Sequence, residues 1–207
     1  KKGISWHRRC TMLDQDTGMF YSTDSVTHPD GERYRGEHYF VSYTRRNNVF
    51  TRMQAKVPAN PSSGKPNPIR SHTEFKTGDG AFWCFSENGA FFKFFPQQDR
   101  TELIGANWGG EGLYTANMCQ SPKLRYIYYM PGVGSRAISY GTPLVQYDVK
   151  TGKKKVIAFL NRFYLAKYGY NAGAPYGLEL DSRGESLFFY AGGGFTSDRN
   201  NPKFIRP

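Results

Sequence analysis

The chain has little cysteine, and its three thiols, Cys10, Cys84 and Cys119, form no CxxC pair. Three such residues serve neither a disulfide scaffold nor a cysteine-rich zinc site. Cys84 lies among aromatics in AFWCF and Cys119 in TANMC, the setting of small buried thiols. No apolar run comes near the roughly 18 residues that a membrane-spanning helix needs. A GxSxG elbow, an HExxH pair, a P-loop and a GxGxxG leading into a helix are all missing, and with them the commonest local catalytic signatures. The triple glycine Gly192–Gly194 follows an aromatic run with no helix behind it, so it reads as a loop and not as a phosphate cradle. The sequence opens on Lys1 with no basic and apolar leader; a processed leader or a piece of a longer protein is the expectation. Compartment stays open, with a secreted or periplasmic one favoured.

What the chain does have is rings. Its 207 residues include 16 Phe, 15 Tyr and 3 Trp, with 38% hydrophobic and 22% charged residues overall. That composition suits a folded domain with a real core, and aromatics favour half-buried pleated surfaces. The formal net charge is +11, which points towards anionic partners. The basic residues are scattered, however, with no group denser than His7-Arg8-Arg9, Arg45-Arg46 or Lys153-Lys154-Lys155. A nucleic acid is therefore not the expected partner, because such binders concentrate charge in one stripe or arm.

Helical periodicity is almost missing. One short stretch, Asn161–Tyr168 (NRFYLAKY), could make two turns. Elsewhere, aromatic and β-branched runs of four to eight residues alternate with Gly, Pro, Asn, Asp and Ser, which predicts an all-β protein. Four segments share one grammar of strand, tight turn and aromatic strand: LDQDTGMFYSTDS, FKTGDGAFWCFSENG, MCQSPKLRYIYYMPG and LDSRGESLFFYAGGG. Gly18, Gly80, Leu124 and Gly184 are their equivalent points. The first three are followed by a further pair of strands, giving four strands in roughly 45–60 residues, the size of a propeller blade. Pro58–Pro68 and Gly132–Gly141 read as long loops, the second inserted within the third blade.

LDSRGESLFFYAGG and LVQYDVKTGKKKVIAFL resemble the blades of WD-like and YVTN-like β-propellers, though the WD dipeptide and the YVTN tetrapeptide are absent. The resemblance implies an all-β fold of four-stranded antiparallel blades, about three and a half of them, with a β-sandwich as the alternative. It places one partial propeller domain over residues 1–207, with blades near 11–57, 70–107 and 113–160 and the inner strands of another at 174–192. Missing blades would then come from the rest of the chain or from another chain. On function the resemblance is nearly silent, because propellers host enzymes and binding platforms alike.

In a propeller the innermost strand of each blade lines a central channel. The polar residues of the expected inner strands are Arg70, His72, Glu74, Tyr114, Asn117, Tyr176 and Glu179. Trp108, among glycines in NWGGEG, could offer a stacking platform. His38 reads as a strand cap, and His7 and His28 as surface residues. One reading is a binding or scaffold module that recognises an anionic glycan or an acidic protein surface through its loops, with Arg70, Tyr114, Asn117, Trp108 and Tyr176 as ligand contacts. The other is a carbohydrate-active lyase or hydrolase. There His72, Glu74 and Glu179 are the catalytic candidates, and a divalent metal on His72, Asn117 and Glu179 would polarise a carbonyl. No other cofactor is expected.

Overall fold

The computed structural model describes residues 10–24, 36–109, 111–132 and 134–195. His7, His28 and the run His7-Arg8-Arg9 lie outside them. The chain divides into two compact units, 1–113 and 114–207. The first holds two four-stranded antiparallel sheets. One is built of β1 (Met12–Asp14), β2 (Met19–Thr23), β3 (Tyr39–Thr44) and β4 (Val49–Lys56). The other is built of β5 (Ile69–His72), β6 (Phe82–Ser86), β7 (Ala90–Phe95) and β8 (Arg100–Ala106). The second unit has a sheet of β9 (Met118–Gln120), β10 (Tyr126–Tyr129), β11 (Pro143–Asp148) and β12 (Lys153–Phe159), then a hairpin of β13 (Tyr170–Leu180) and β14 (Leu187–Phe195). Within every sheet the strands lie side by side in chain order, the arrangement that hairpin connections produce. The protein is all-β, as the run lengths predict.

Turn chemistry sets the hairpins. The amide of Gly18 donates to the Asp14 carbonyl, Gly80 to Thr77, Leu124 to Ser121 and Gly184 to Asp181, each at 2.8–2.9 Å. All four donors have positive φ, between +54° and +81°. Carboxylates reinforce these corners: Asp14 Oδ1 accepts from the Asp16 amide, and Asp181 Oδ1 accepts from Glu185 and Ser186. Leu124 keeps the conformation without the residue suited to it, since a left-handed Cβ costs roughly 1 kcal/mol. Leu124→Gly relieves that strain but frees the unfolded chain, so a rise in stability of at most about 0.5 kcal/mol is expected, read as a slightly higher midpoint in urea. A lower midpoint would mean that the half-buried leucine side chain contributes more than its backbone costs.

In the first unit, Met12, Tyr21 and Phe40 of one sheet pack on Phe82, Cys84, Phe92 and Phe94 of the other. Phe40 and Phe94 stack with centroids 3.8 Å apart and planes 6° from parallel, and Tyr21 meets Phe94 edge-on at 5.4 Å. The opposite face of the second sheet carries Trp83, Phe85 and Phe91, all buried. The opposite face of the first sheet is buried at Ser22 and Val41 and open at one end. There Phe20, Tyr43 and Phe50 are cross-strand neighbours that line, with Thr11, a cleft of about 220 Å³. In the second unit, Leu178, Leu180, Leu187 and Phe189 of the hairpin pack with Cys119, Met130 and Leu144. Phe188 and Tyr190 point the other way and are 64% and 68% exposed. All three cysteines are free and buried, and burial pushes the thiols of Cys10 and Cys119 up to about 12.

The expected helix is present as α2 (Leu160–Tyr168), stopped by left-handed Gly169, whose amide donates back to Leu165 and Tyr164. Two loop expectations are corrected. Gly132–Gly141 contains the short helix α1 (Gly134–Ser139), bracketed by left-handed Gly132 and Gly141. At six residues it is too short to show periodicity, and the Ala137 carbonyl is capped from outside by the Thr142 amide. Gly192–Gly194 belongs to β14: pairing with β13 carries the glycines along as a strand, and register shifts in β13 absorb the mismatch.

Candidate functional site

The residues expected to line a channel fall in both units. Arg70 and His72 are on β5, whereas Glu74 lies in the bend beyond its end and Trp108 is half-buried in a tight turn closed by the Glu111 amide. In the second unit, Tyr114 and Asn117 occupy the extended segment before β9, and Tyr176 and Glu179 lie on β13 with both side chains exposed. His72 sits between two backbone carbonyls, with Nδ1 2.8 Å from the Thr73 oxygen and Nε2 3.1 Å from the Thr11 oxygen. Burial of the ring pushes its pKa below the ordinary histidine value, against those carbonyls and the charge of Glu74. The Nε2 contact ties β5 to the residue before β1, while Nδ1 faces the carbonyl of the next residue along the chain; a neutral ring donates to one of the two. Among the described residues, no group of three or more His, Cys, Asp or Glu side chains could hold a metal ion.

A larger concave site of the first unit lies on its outer strands β4 and β8. Glu37, Lys56, Val57, Pro58, Ala59, Pro66, Thr101 and Leu103 line a groove of about 520 Å³. Its floor is assembled by hydrogen bonds between the two sheets. β4 is irregular opposite Phe40, because its register against β3 shifts between Tyr39 and Val41. The Asp99 carboxylate accepts from the Gln54 and Ala55 amides at 2.9 and 2.8 Å there. Beside it, the Thr101 hydroxyl donates to the Lys56 carbonyl at 2.8 Å, and the Val57 amide donates to His38. The chain then runs through Pro58 and Ala59 to Asn60, which is buried. Its Oδ1 accepts from the Ser62 and Ser63 amides, and its Nδ2 donates to the Asn88 carbonyl at 2.6 Å. The proline-rich stretch is the loop between β4 and β5 that the sequence predicts, and Asn60 ties its turn to Asn88.

Charge gathers at the mouth of the groove. Tyr39, which opens β3, is paired across the sheet with Lys56. The Arg52 guanidinium lies 3.8 Å from the centroid of the Tyr39 ring and Lys56 Nζ lies 5.3 Å from it. Glu37 is held on both oxygens: Lys56 Nζ is 2.6 Å from Oε1, and the Tyr39 hydroxyl donates to Oε2 at 2.6 Å. Hydrogen bonding from Lys56, then from Tyr39, pulls the Glu37 pKa down, and the same pairing pulls that of Lys56 up. Behind Tyr39, buried Asp24 accepts from the Tyr39 amide at 2.9 Å and stands 3.5 Å from Arg52 and 4.0 Å from His38. Burial pushes the Asp24 pKa up, against that hydrogen bond and both bases. His38, expected to cap its strand, is an interior residue beside this carboxylate. Sequence reasoning looked at inner strands and passed over this cluster. The available signal was Arg52 and Lys56 four residues apart in a strand, which puts them on one face.

The fold is that of an all-β protein with several four-stranded antiparallel sheets, compatible with a propeller-like architecture. No family model matches the chain, and no curated protein is similar to it. Among solved structures it resembles a structural genomics protein of unknown function from Bacteroides thetaiotaomicron. That likeness has 12% identity and a TM-score of 0.55, over 88% of this chain and 42% of that one. It also aligns with the extracellular domain of a putative one-component system from B. thetaiotaomicron, at 17% identity and a TM-score of 0.48, over 88% of this chain and 20% of that domain. The chain thus spans under half the length of either protein. The first likeness speaks to the fold alone.

Proposed function

We propose that the chain is a propeller-type binding module whose first unit presents a groove to an acidic ligand. The observation that carries this is the cluster at the groove mouth, where two cations, Arg52 and Lys56, share one tyrosine ring beside an apolar floor. The chain's formal net charge of +11 draws anions towards its surface, and at the groove a ligand carboxylate can take over the contacts that Glu37 makes with Lys56, while the floor adds apolar contacts. Poly-glutamate and polygalacturonate are the probes. Binding to either is expected to weaken as salt rises from about 20 to about 150 mM, as a contact between exposed charges must. Arg52→Ala with Lys56→Ala should weaken it about tenfold. Affinity indifferent to both salt and substitution would remove the proposal.

A second part of the proposal is that the sheets are blades and that further four-stranded sheets cover the two open faces. Sheet-on-sheet packing is already the way this chain buries rings, as the Phe40–Phe94 stack illustrates. Strand order within each sheet, and a similar structure more than twice as long, support the same reading.

A further inference from the structure

Glu37 has the surroundings of a bound ligand. Each of its carboxylate oxygens has its own donor at 2.6 Å, Lys56 Nζ on one and the Tyr39 hydroxyl on the other, and the Arg52 guanidinium stands over the same ring at 3.8 Å. That is how a protein holds a guest carboxylate, except that the guest here belongs to the chain. The hold is weak, because Glu37 and Lys56 are both exposed to water. Glu37 also follows Gly36, whose φ of +93° suits a corner in the backbone. A carboxylate that also gains contacts along the groove would displace it.

The groove favours one class of guest. From Lys56 it runs over Val57, Pro58, Ala59 and Pro66 to Leu103, which is 44% exposed. Aliphatic and prolyl surface of this kind suits side chains of an extended peptide. A sugar acid would want an open aromatic face, and Tyr39, the ring at the mouth, has its face taken by Arg52. Resting on the acidic-ligand reading above, we propose that the groove binds an extended acidic peptide. A glutamate or aspartate of the guest replaces Glu37 on Lys56 and Tyr39, and a neighbouring aliphatic side chain covers Leu103. Glu37 is then a built-in competitor that sets the affinity.

The test is fluorescence anisotropy of the intact chain with a dye-labelled octapeptide of alternating glutamate and valine, beside its glutamine counterpart and labelled oligogalacturonate. The glutamate peptide should bind and the glutamine peptide should not. Glu37→Gln should tighten binding about two- to fivefold, the range that loss of a weak competing pair allows. Leu103→Asp should weaken it about tenfold, and both variants, lying at the surface, should unfold with the parent chain in urea. Unchanged or weaker binding by Glu37→Gln overturns the competitor role. Oligogalacturonate binding more tightly than the peptide overturns the peptide while leaving an acidic-ligand groove standing. Failure of every acidic probe overturns that earlier reading as well.

Discussion

A Gly112→Ala chain is expected to lose about 3–5 kcal/mol of stability, combining overpacking with lost buried hydrogen bonds. An added Cβ would sit 1.7 Å from Asn60 Nδ2 and 2.0 Å from the Asn88 carbonyl oxygen. Neither neighbour can yield cheaply. The Asn60 amide is 1% exposed, accepts two backbone N–H groups and donates to Asn88, which in turn donates to the Lys65 carbonyl. Moving it would undo the turn that follows Pro58–Ala59 and, with it, one wall of the groove. Gly89 stands in a similar squeeze, its Cβ position 2.4 Å from the Leu113 nitrogen at a φ of +80°. The comparison is Gly78→Ala, where nothing lies within 4 Å and φ is not left-handed. It should be neutral or stabilising by up to about 1 kcal/mol. Urea unfolding of both variants decides the matter. Equal midpoints would show that the loop relaxes freely around residue 112 and that the Asn60 network is not rigid.

The parts of this fold that could be read in the sequence are the ones set by near neighbours. Aromatic alternation and turns such as DQDTG and DSRG act within six residues, so sheets and hairpin corners follow from them. Even Leu124, placed beside three glycines by pattern alone, shares their left-handed backbone. The groove is different in kind. It depends on Asp99 in one hairpin reaching amides of β4 some 44 residues earlier, and on Asn60 reaching Asn88. No local window contains both ends of such a bond. Glu37 was hidden for a related reason, because before its strand it reads as an ordinary solvated acid, and only the fold sets Lys56 beside it. His72 and Glu179 were recognisable as polar residues within strands. Their partners were not, since two carbonyls around an imidazole leave no mark in a pattern of residue types.

A ring packed between the two sheets and a ring on the open side of the first sheet should respond differently to deletion. Phe94→Ala removes a fully buried side chain that stacks on Phe40 and meets Tyr21 edge-on. The cavity is walled by aromatic rings from both sheets and cannot collapse far, so the expected cost is about 3–5 kcal/mol. Phe50→Ala removes a ring of similar size that is 47% exposed and touches Tyr43 with centroids 4.6 Å apart. A half-exposed ring with a cross-strand partner is lost, and the cost should stay below about 1 kcal/mol. The open face has a second consequence. Leu13, Phe20, Tyr43 and Phe50 present apolar surface that water disfavours by ~25 cal/mol per Å², so chains lacking a covering sheet should associate through it. Sedimentation of the isolated chain should therefore show self-association that Phe50→Ser diminishes and Phe94→Leu, on the covered face, leaves in place. If Phe50→Ala proved as costly as Phe94→Ala, that face would already be packed within the chain, and no further blade would be needed to cover it.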